Sequence, residues 1–364
     1  MAGPCGLQEE RGARFKMMRD MLSRRQFVRA TGAGVASLGL AACSGASEGA
    51  GTEAGDEEGA GGLTKLTFCL DYTPNTNHTG IYVADSLGYF AEEGIELKIV
   101  QPAEDGAEAM VGTGRAELGV SYQDYLADAY AGGNTGLYAI AAILQHNTSG
   151  IMSKGGLGVT HPAAMEGLRY ATWELPVEQA TVRQVVEADG GDFDAIKLVP
   201  YTVDDDVAGI RADMYDCVWV FEGWAVQNAK VQDVDVDFFS FISIDETFDL
   251  YSPVLVANIA FAEENPEVVR AFVRAARRGY EYAIAHPEEA GEMLVEAVPE
   301  LDAALVAESL GYLGDQFQAD APSWGVIDGA RWSRFYQWLN DNELVEPPLD
   351  VNAGWTDAYL DADA

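Results

Sequence analysis

At 364 residues, 48% of them apolar, the chain can bury one large core or two medium ones, which excludes a disordered protein and favours two lobes. Its formal net charge of −37 argues against nucleic-acid binding, which needs a basic face to neutralise phosphate. The four cysteines (Cys5, Cys43, Cys69, Cys217) form no CxxC pair and the four histidines (His78, His146, His161, His286) no HExxH spacing, so neither a structural zinc nor a redox site is expected.

The N-terminal segment reads as an address. Residues 21–45, MLSRRQFVRATGAGVASLGLAACSG, place the pair Arg24–Arg25 ahead of a weakly apolar run, Ala30 to Ala42, that is too short to span a bilayer. SRRQFV resembles a twin-arginine export signal. LAAC resembles a lipobox, in which Cys43 is acylated and becomes the first mature residue. A buried helix with a chance arginine pair is the bland alternative. Residues 1–20 are then a dispensable extension before a start at Met17, Met18 or Met21, and residues 21–42 the signal peptide. Residues 43–62, rich in Gly, Ala, Ser and Glu, are a flexible tether.

The folded part opens on LTKLTFCL, an alternating strand. TGIYVADSLGYFAEEG has helical spacing and a glycine stop, and IELKIV alternates again. EDGAEAMVGTG predicts a short helix, AELGVS a strand, YQDYLADAYAGG a helix and LYAIAAILQ a long apolar strand. The alternation then recurs: LRYATW, the helix PVEQATVRQVVEADGG, IKLVPY, the helix DDDVAGIRADM, YDCVWVF, the partly helical EGWAVQNAKVQ and the strand VDFFSFISI. From ENPEVVRAFVRAARRGYEYAIA onward the pattern is almost wholly helical. Strands alternating with helices predict mostly parallel, doubly wound α/β lobes. Lobe one takes residues 63–148 and 252–364 and lobe two residues 149–251, with crossings near His146–Ser153 and Ser243–Val254.

In open α/β sheets ligands bind beyond the C-terminal ends of parallel strands, so the residues there are the candidates. They are Asp71, Tyr72, Asn77 and His78 after the first strand, and Tyr122 and Gln123 after AELGVS. Trp173 and Glu174 follow LRYAT, and Phe221, Glu222 and Trp224 follow DCVWV. Tyr and Trp stack on planar rings, carboxylates accept from an exocyclic amine beside a ring nitrogen, and Asn and His supply both donors and acceptors. This set suits a small aromatic heterocycle bearing amino groups. A phosphate or sulfonate would call for Arg or Lys, and the four clusters contain neither. Each aromatic taken singly is as compatible with lobe packing as with ligand contact. Trp219, Trp332 and Trp338 read as core, Cys69 and Cys217 as buried thiols, and His146, His161 and His286 as surface or satisfied histidines. Asp204 to Asp206 read as a helix start rather than a metal site.

LDYTPNTNHTGIYVADSLGYFAEEGIEL, GVSYQD, ATWELPVEQA, FEGWAVQ, YSPVLVAN and WGVIDGARWSRFYQWLNDNELV resemble the aminopyrimidine (thiamine-precursor) binding proteins of bacterial ABC importers, over residues 63–345. These are relatives of the yeast enzyme that makes the thiamine pyrimidine. The resemblance implies a type II periplasmic-binding-protein fold, no cofactor, and a monomer held outside the membrane by lipid on Cys43. It also implies a permease and an ATPase as partners. By matching position it carries the ligand site onto Tyr72, Asn77, His78, Tyr122, Trp173, Glu174 and Glu222, and less directly onto Asp71 and Trp224. Riboflavin-binding importer subunits are close relatives, so a flavin is the alternative ligand. A pyrimidine synthase is disfavoured because the clustered cysteines of the fungal enzymes are missing. A nitrate, taurine or alkylsulfonate subunit is disfavoured by the acidic site.

Overall fold

The computed structural model describes residues 62–203 and 205–360. The export signal, the lipobox with Cys43 and Asp204 lie outside the described residues, as does all but the last residue of the tether. No helix among the described residues is long and apolar enough to cross a membrane.

Among the described residues ten strands form two five-stranded sheets. β1 (Thr64–Cys69), β2 (Ile95–Val100), β3 (Leu118–Ser121), β4 (Leu137–Ala142) and β10 (Val254–Asn258) make the first, in the order β2-β1-β3-β10-β4. β5 (Ser149–Lys154), β6 (Arg169–Thr172), β7 (Lys197–Pro200), β8 (Cys217–Phe221) and β9 (Val236–Ser240) make the second, in the order β7-β6-β8-β5-β9. The chain passes between the sheets at residues 143–148 and again at residues 241–253. This is the two-lobed type II architecture.

Two strands escaped the sequence reading, and they alter the sheets. β5 falls in the segment expected to be the first crossing, and β10 follows the second. Both run antiparallel to both of their neighbours. Each sheet is therefore mixed rather than mostly parallel. The cause is the double crossing: the first strand made on entering a lobe arrives from the side where the other strands end. VLVAN is buried at all five positions, so it shows no alternation by which to recognise a strand.

Six helices position the site: α1 (Thr79–Ser86), α2 (Gln123–Ala131), α3 (Pro176–Ala188), α4 (Pro266–Ala285), α5 (Ala303–Gln316) and α6 (Gly329–Asp341). One core packs Phe68 of β1 and Phe90 against Phe272 of α4. A second runs from the other face of the first sheet (Ala139, Val254) through the crossings (Phe241, Phe248, Tyr251) to Tyr170 and Val182 of the second lobe. Trp332 and Trp338 belong to this second core.

Candidate functional site

After β1 the chain turns through Asp71–Asn75 into one 3-10 turn, Thr76–His78, and then α1. The Asn75 side chain accepts from the Asn77 N–H at 2.9 Å, and the Asn75 N–H donates to His78 Nδ1 at 3.1 Å. A donor at Nδ1 leaves the ring proton on Nε2, which donates to Asp71 Oδ1 at 2.5 Å. The Tyr122 hydroxyl donates to the other carboxylate oxygen of Asp71. Burial works to raise the Asp71 carboxyl, but the His78 partner and the hydrogen bonds from His78 and Tyr122 outweigh it and hold the carboxyl below its ordinary range. Burial, reinforced by the Asp71 charge, pushes the Tyr122 hydroxyl far up, so it remains a donor.

The side chains of Asp71 and His78 are 4% and 0% exposed. Their polar atoms meet one another and Tyr122 instead of standing open to a guest, because a buried carboxylate requires donors. Asp71 and His78 thus form the inner layer of this turn. Tyr72, 49% exposed, and the partly buried Asn77 form its outer layer.

Gln123 also turns inward. Its Nε2 donates to the Trp332 carbonyl at 2.7 Å and its Oε1 accepts from the Tyr251 N–H at 3.0 Å. Fully buried, it ties α2 to α6 and the second crossing. Tyr122, just before α2, faces the cleft. Its ring lies 6.4 Å from Phe221 at 27°, so aromatic faces from the two lobes meet.

In lobe two, Trp173 follows β6 and packs 5.6 Å from Trp219 and 6.5 Å from Tyr201. Glu174 is exposed and adopts φ 60°, a left-handed conformation that a glutamate holds at a cost and that clusters at functional sites. Thr172 Oγ1 accepts the Glu174 N–H at 2.9 Å and fixes that turn. Behind it Glu178 is buried, accepting from Tyr170 at 2.5 Å and Thr172 at 2.9 Å. Glu222 begins a π-helical turn, Glu222–Val226, that also carries the partly buried Trp224. Such turns recur at functional sites. The Tyr312 hydroxyl of α5 donates to Glu222 Oε2 at 2.9 Å.

α5 joins the two walls. Ser309 Oγ lies 2.7 Å from Thr76 Oγ1 in the lobe-one turn and donates to the Gly223 carbonyl in lobe two. A side chain at Gly223 would come within 2.6 Å of Leu313, so glycine permits this approach.

Sequence reasoning passed over Asp124, in the first turn of α2, and took Trp219 as core. Both line a cavity of about 20 Å³ between α2, α3 and the crossings. Trp219 Nε1 is buried without a hydrogen-bond partner among the described residues. Burial pushes the Asp124 carboxyl up to about 7, opposed by backbone N–H groups of its own turn. No group of His, Cys, Asp and Glu among the described residues is arranged to hold a metal ion. Cys69 and Cys217 are buried free thiols, and burial raises both. Asp205 caps the helix after it by accepting from the Val207 and Ala208 N–H groups.

The family model described as NMT1/THI5 like matches residues 75–290. The formylaminopyrimidine-binding protein of Halalkalibacterium halodurans is 29% identical over 79% of this chain and 88% of its own. The riboflavin-binding protein RibY of Chloroflexus aurantiacus is 25% identical, over 82% and 86%. A 4-amino-5-hydroxymethyl-2-methylpyrimidine phosphate synthase of Saccharomyces cerevisiae is 24% identical, over 65% and 72%. The periplasmic aliphatic sulphonate binding protein SsuA of Escherichia coli shares the fold, with a TM-score of 0.63 at 14% identity over 82% of this chain and 99% of that one.

Proposed function

Since the chain belongs to the NMT1/THI5-like family, we propose that it is a non-catalytic solute-binding protein of an ABC importer that captures a thiamine-precursor aminopyrimidine. Its place is outside the cell membrane, tethered through lipid on Cys43, and it passes its ligand to a permease driven by an ATPase. The observation that carries this reading is the meeting of aromatic faces across the cleft, Tyr122 with Phe221, next to the Trp173–Trp219 pair of lobe two and beside carboxylates that have no Lys or Arg among the candidate residues. Flat faces hold a ring, and acids hold its amino group and ring nitrogen. Tyr72, Asn77, Glu174, Glu222 and Trp224 complete the proposed contact set, while Asp71, His78 and Gln123 position it. A sulfonate would meet these acids as a like charge.

Calorimetric titration with formylaminopyrimidine, hydroxymethylpyrimidine, thiamine and riboflavin tests the reading. An aminopyrimidine is expected to bind in the micromolar range or tighter, and Trp173→Ala to weaken it about 10- to 100-fold. Silence toward all four ligands ends the proposal. Riboflavin as the only ligand bound installs the flavin alternative, which the RibY relative keeps open.

A further inference from the structure

Helix α5 has two faces with different partners. Val306, Leu310 and Leu313, with Phe317 just beyond the helix, pack into the core of lobe one beside Phe272. Ser309, Tyr312 and Gln316 recur at three- and four-residue spacing on a second face, which runs along the seam between the lobes. Ser309 reaches Thr76 and the Gly223 carbonyl. One turn on, the Tyr312 hydroxyl donates to Glu222 Oε2 at 2.9 Å. One turn further, the Gln316 carbonyl accepts the Gln145 N–H of the first crossing at 3.1 Å. A single helix thus touches the lobe-one turn, the lobe-two wall and a crossing.

The direction of these bonds follows from proton count. A serine hydroxyl has one proton, and Ser309 gives it to the Gly223 carbonyl. The 2.7 Å contact with Thr76 is therefore donated by the Thr76 hydroxyl. The chain Thr76 to Ser309 to Gly223 passes from one lobe to the other with both protons used. Both hydroxyls are buried, so water does not compete for these bonds while the lobes meet. Burial and the Glu222 charge raise the Tyr312 hydroxyl, which keeps it a donor. Leu313 fills the space in which a Cβ on Gly223 would lie, so the π-helical turn rests directly on α5. The Lys230–Glu308 pair at 3.6 Å is half-exposed and adds little.

We infer that α5 is a latch between the lobes: Ser309 and Tyr312 hold the π-helical turn of lobe two against lobe one and set how long the cleft stays shut. Opening has to break the Ser309–Gly223 and Tyr312–Glu222 bonds, while the apolar face of α5 keeps the helix with lobe one. α6 has a different station. Its Trp338 Nε1 donates to Gln184 Oε1 at 2.6 Å beside Phe248 of the second crossing, so it braces the hinge rather than the cleft wall. The latch concerns lobe motion whatever the ligand, and only the dissociation measurement below rests on the aminopyrimidine reading.

The test places spin labels at Ser86→Cys of α1 and Ala188→Cys of α3, both exposed, in the ligand-free mature chain carrying Cys43→Ser. The two remaining thiols, Cys69 and Cys217, are buried. Pulsed dipolar spectroscopy on this protein is expected to show the separation of this structure and a second, longer one. Ser309→Ala and Tyr312→Phe should each raise the longer-to-shorter ratio about threefold to tenfold, the worth of one hydrogen bond. Lys230→Met, at the exposed rim, should change it by less than about twofold. A distribution unchanged in both α5 variants overturns the latch, as does an equal shift in Lys230→Met. Thermal melting identifies a variant that fails to fold, and the other then decides. With formylaminopyrimidine bound, dissociation in stopped flow should quicken by the same factor as the ratio, with association nearly unchanged. Failure of the wild type to bind that probe overturns the functional reading and leaves the distance measurement to decide the latch.

Discussion

Asp124 shows how a single side chain can be visible in sequence and still be misread. An acid in the first turn of a helix is the ordinary choice for a helix N-terminus, so its residue type carried no signal. What sets it apart is burial in a cavity shared with the other lobe, which lifts its carboxyl from 3.8 to about 7. A carboxyl raised in the folded state leaves stability intact below the unfolded value and subtracts from it as pH rises toward 7. Asp124→Asn should therefore match the wild type near pH 4 and exceed it at pH 8. The gain should be on the order of 2 kcal/mol, less than the full shift implies because the side chain keeps partial solvent contact. Urea unfolding at the two pH values checks this, and an equal difference at both would contradict it. Trp219 was hidden for a related reason, since its strand phase puts it in the lobe interior. The unpaired indole N–H that marks it out exists only in three dimensions. Tyr122 and Trp173, by contrast, were named from sequence because they follow strand ends, where open α/β sheets place their ligands.

At the scale of elements, helix and strand signals located eight of the ten strands and the helices that follow them. β5 and β10 were missed because the middle of a sheet, buried on both faces, erases the alternation that marks an edge or half-buried strand. Close helix contact was equally invisible. α1 and α4 cross at Gly80 and Gly279: a Cβ at Gly80 would sit within the ring of Tyr280, and one at Gly279 would strike the Gly80 carbonyl. The same Tyr280 donates to the Asn77 carbonyl at 2.8 Å, so this crossing also holds the turn after β1. Gly80→Ala should cost about 3 kcal/mol or more, because the ring has to leave its place between Phe317 and Trp324. Thermal unfolding measures the loss, and a change below 0.5 kcal/mol would show that the crossing is looser than described.

For the whole molecule the decisive feature is the pair of crossings, and Arg331 of α6 binds both. Its guanidinium donates to the Gln145 carbonyl at 2.5 Å in the first crossing, and to Asp249 Oδ2 at 3.1 Å and the Tyr251 hydroxyl at 2.5 Å in the second. His146, read from sequence as surface or satisfied, joins the same cluster 2.8 Å from Asp249. Arg331→Met removes the cation from a largely buried carboxylate and should cost about 2–4 kcal/mol in denaturant unfolding. An unchanged midpoint would mean that the crossings hold themselves. Composition, strand–helix alternation and the residue types at strand ends were enough, by themselves, to determine a two-lobed α/β protein with an acidic, aromatic cleft, since these follow from local propensity and from where strands stop. Only the tertiary structure decided which of those residues face inward, which strands run antiparallel, and that Asp124 and Trp219 share a cavity. Contact between lobes, and much of the burial and hydrogen-bond pairing, is set by segments far apart in the chain, and no local pattern encodes it.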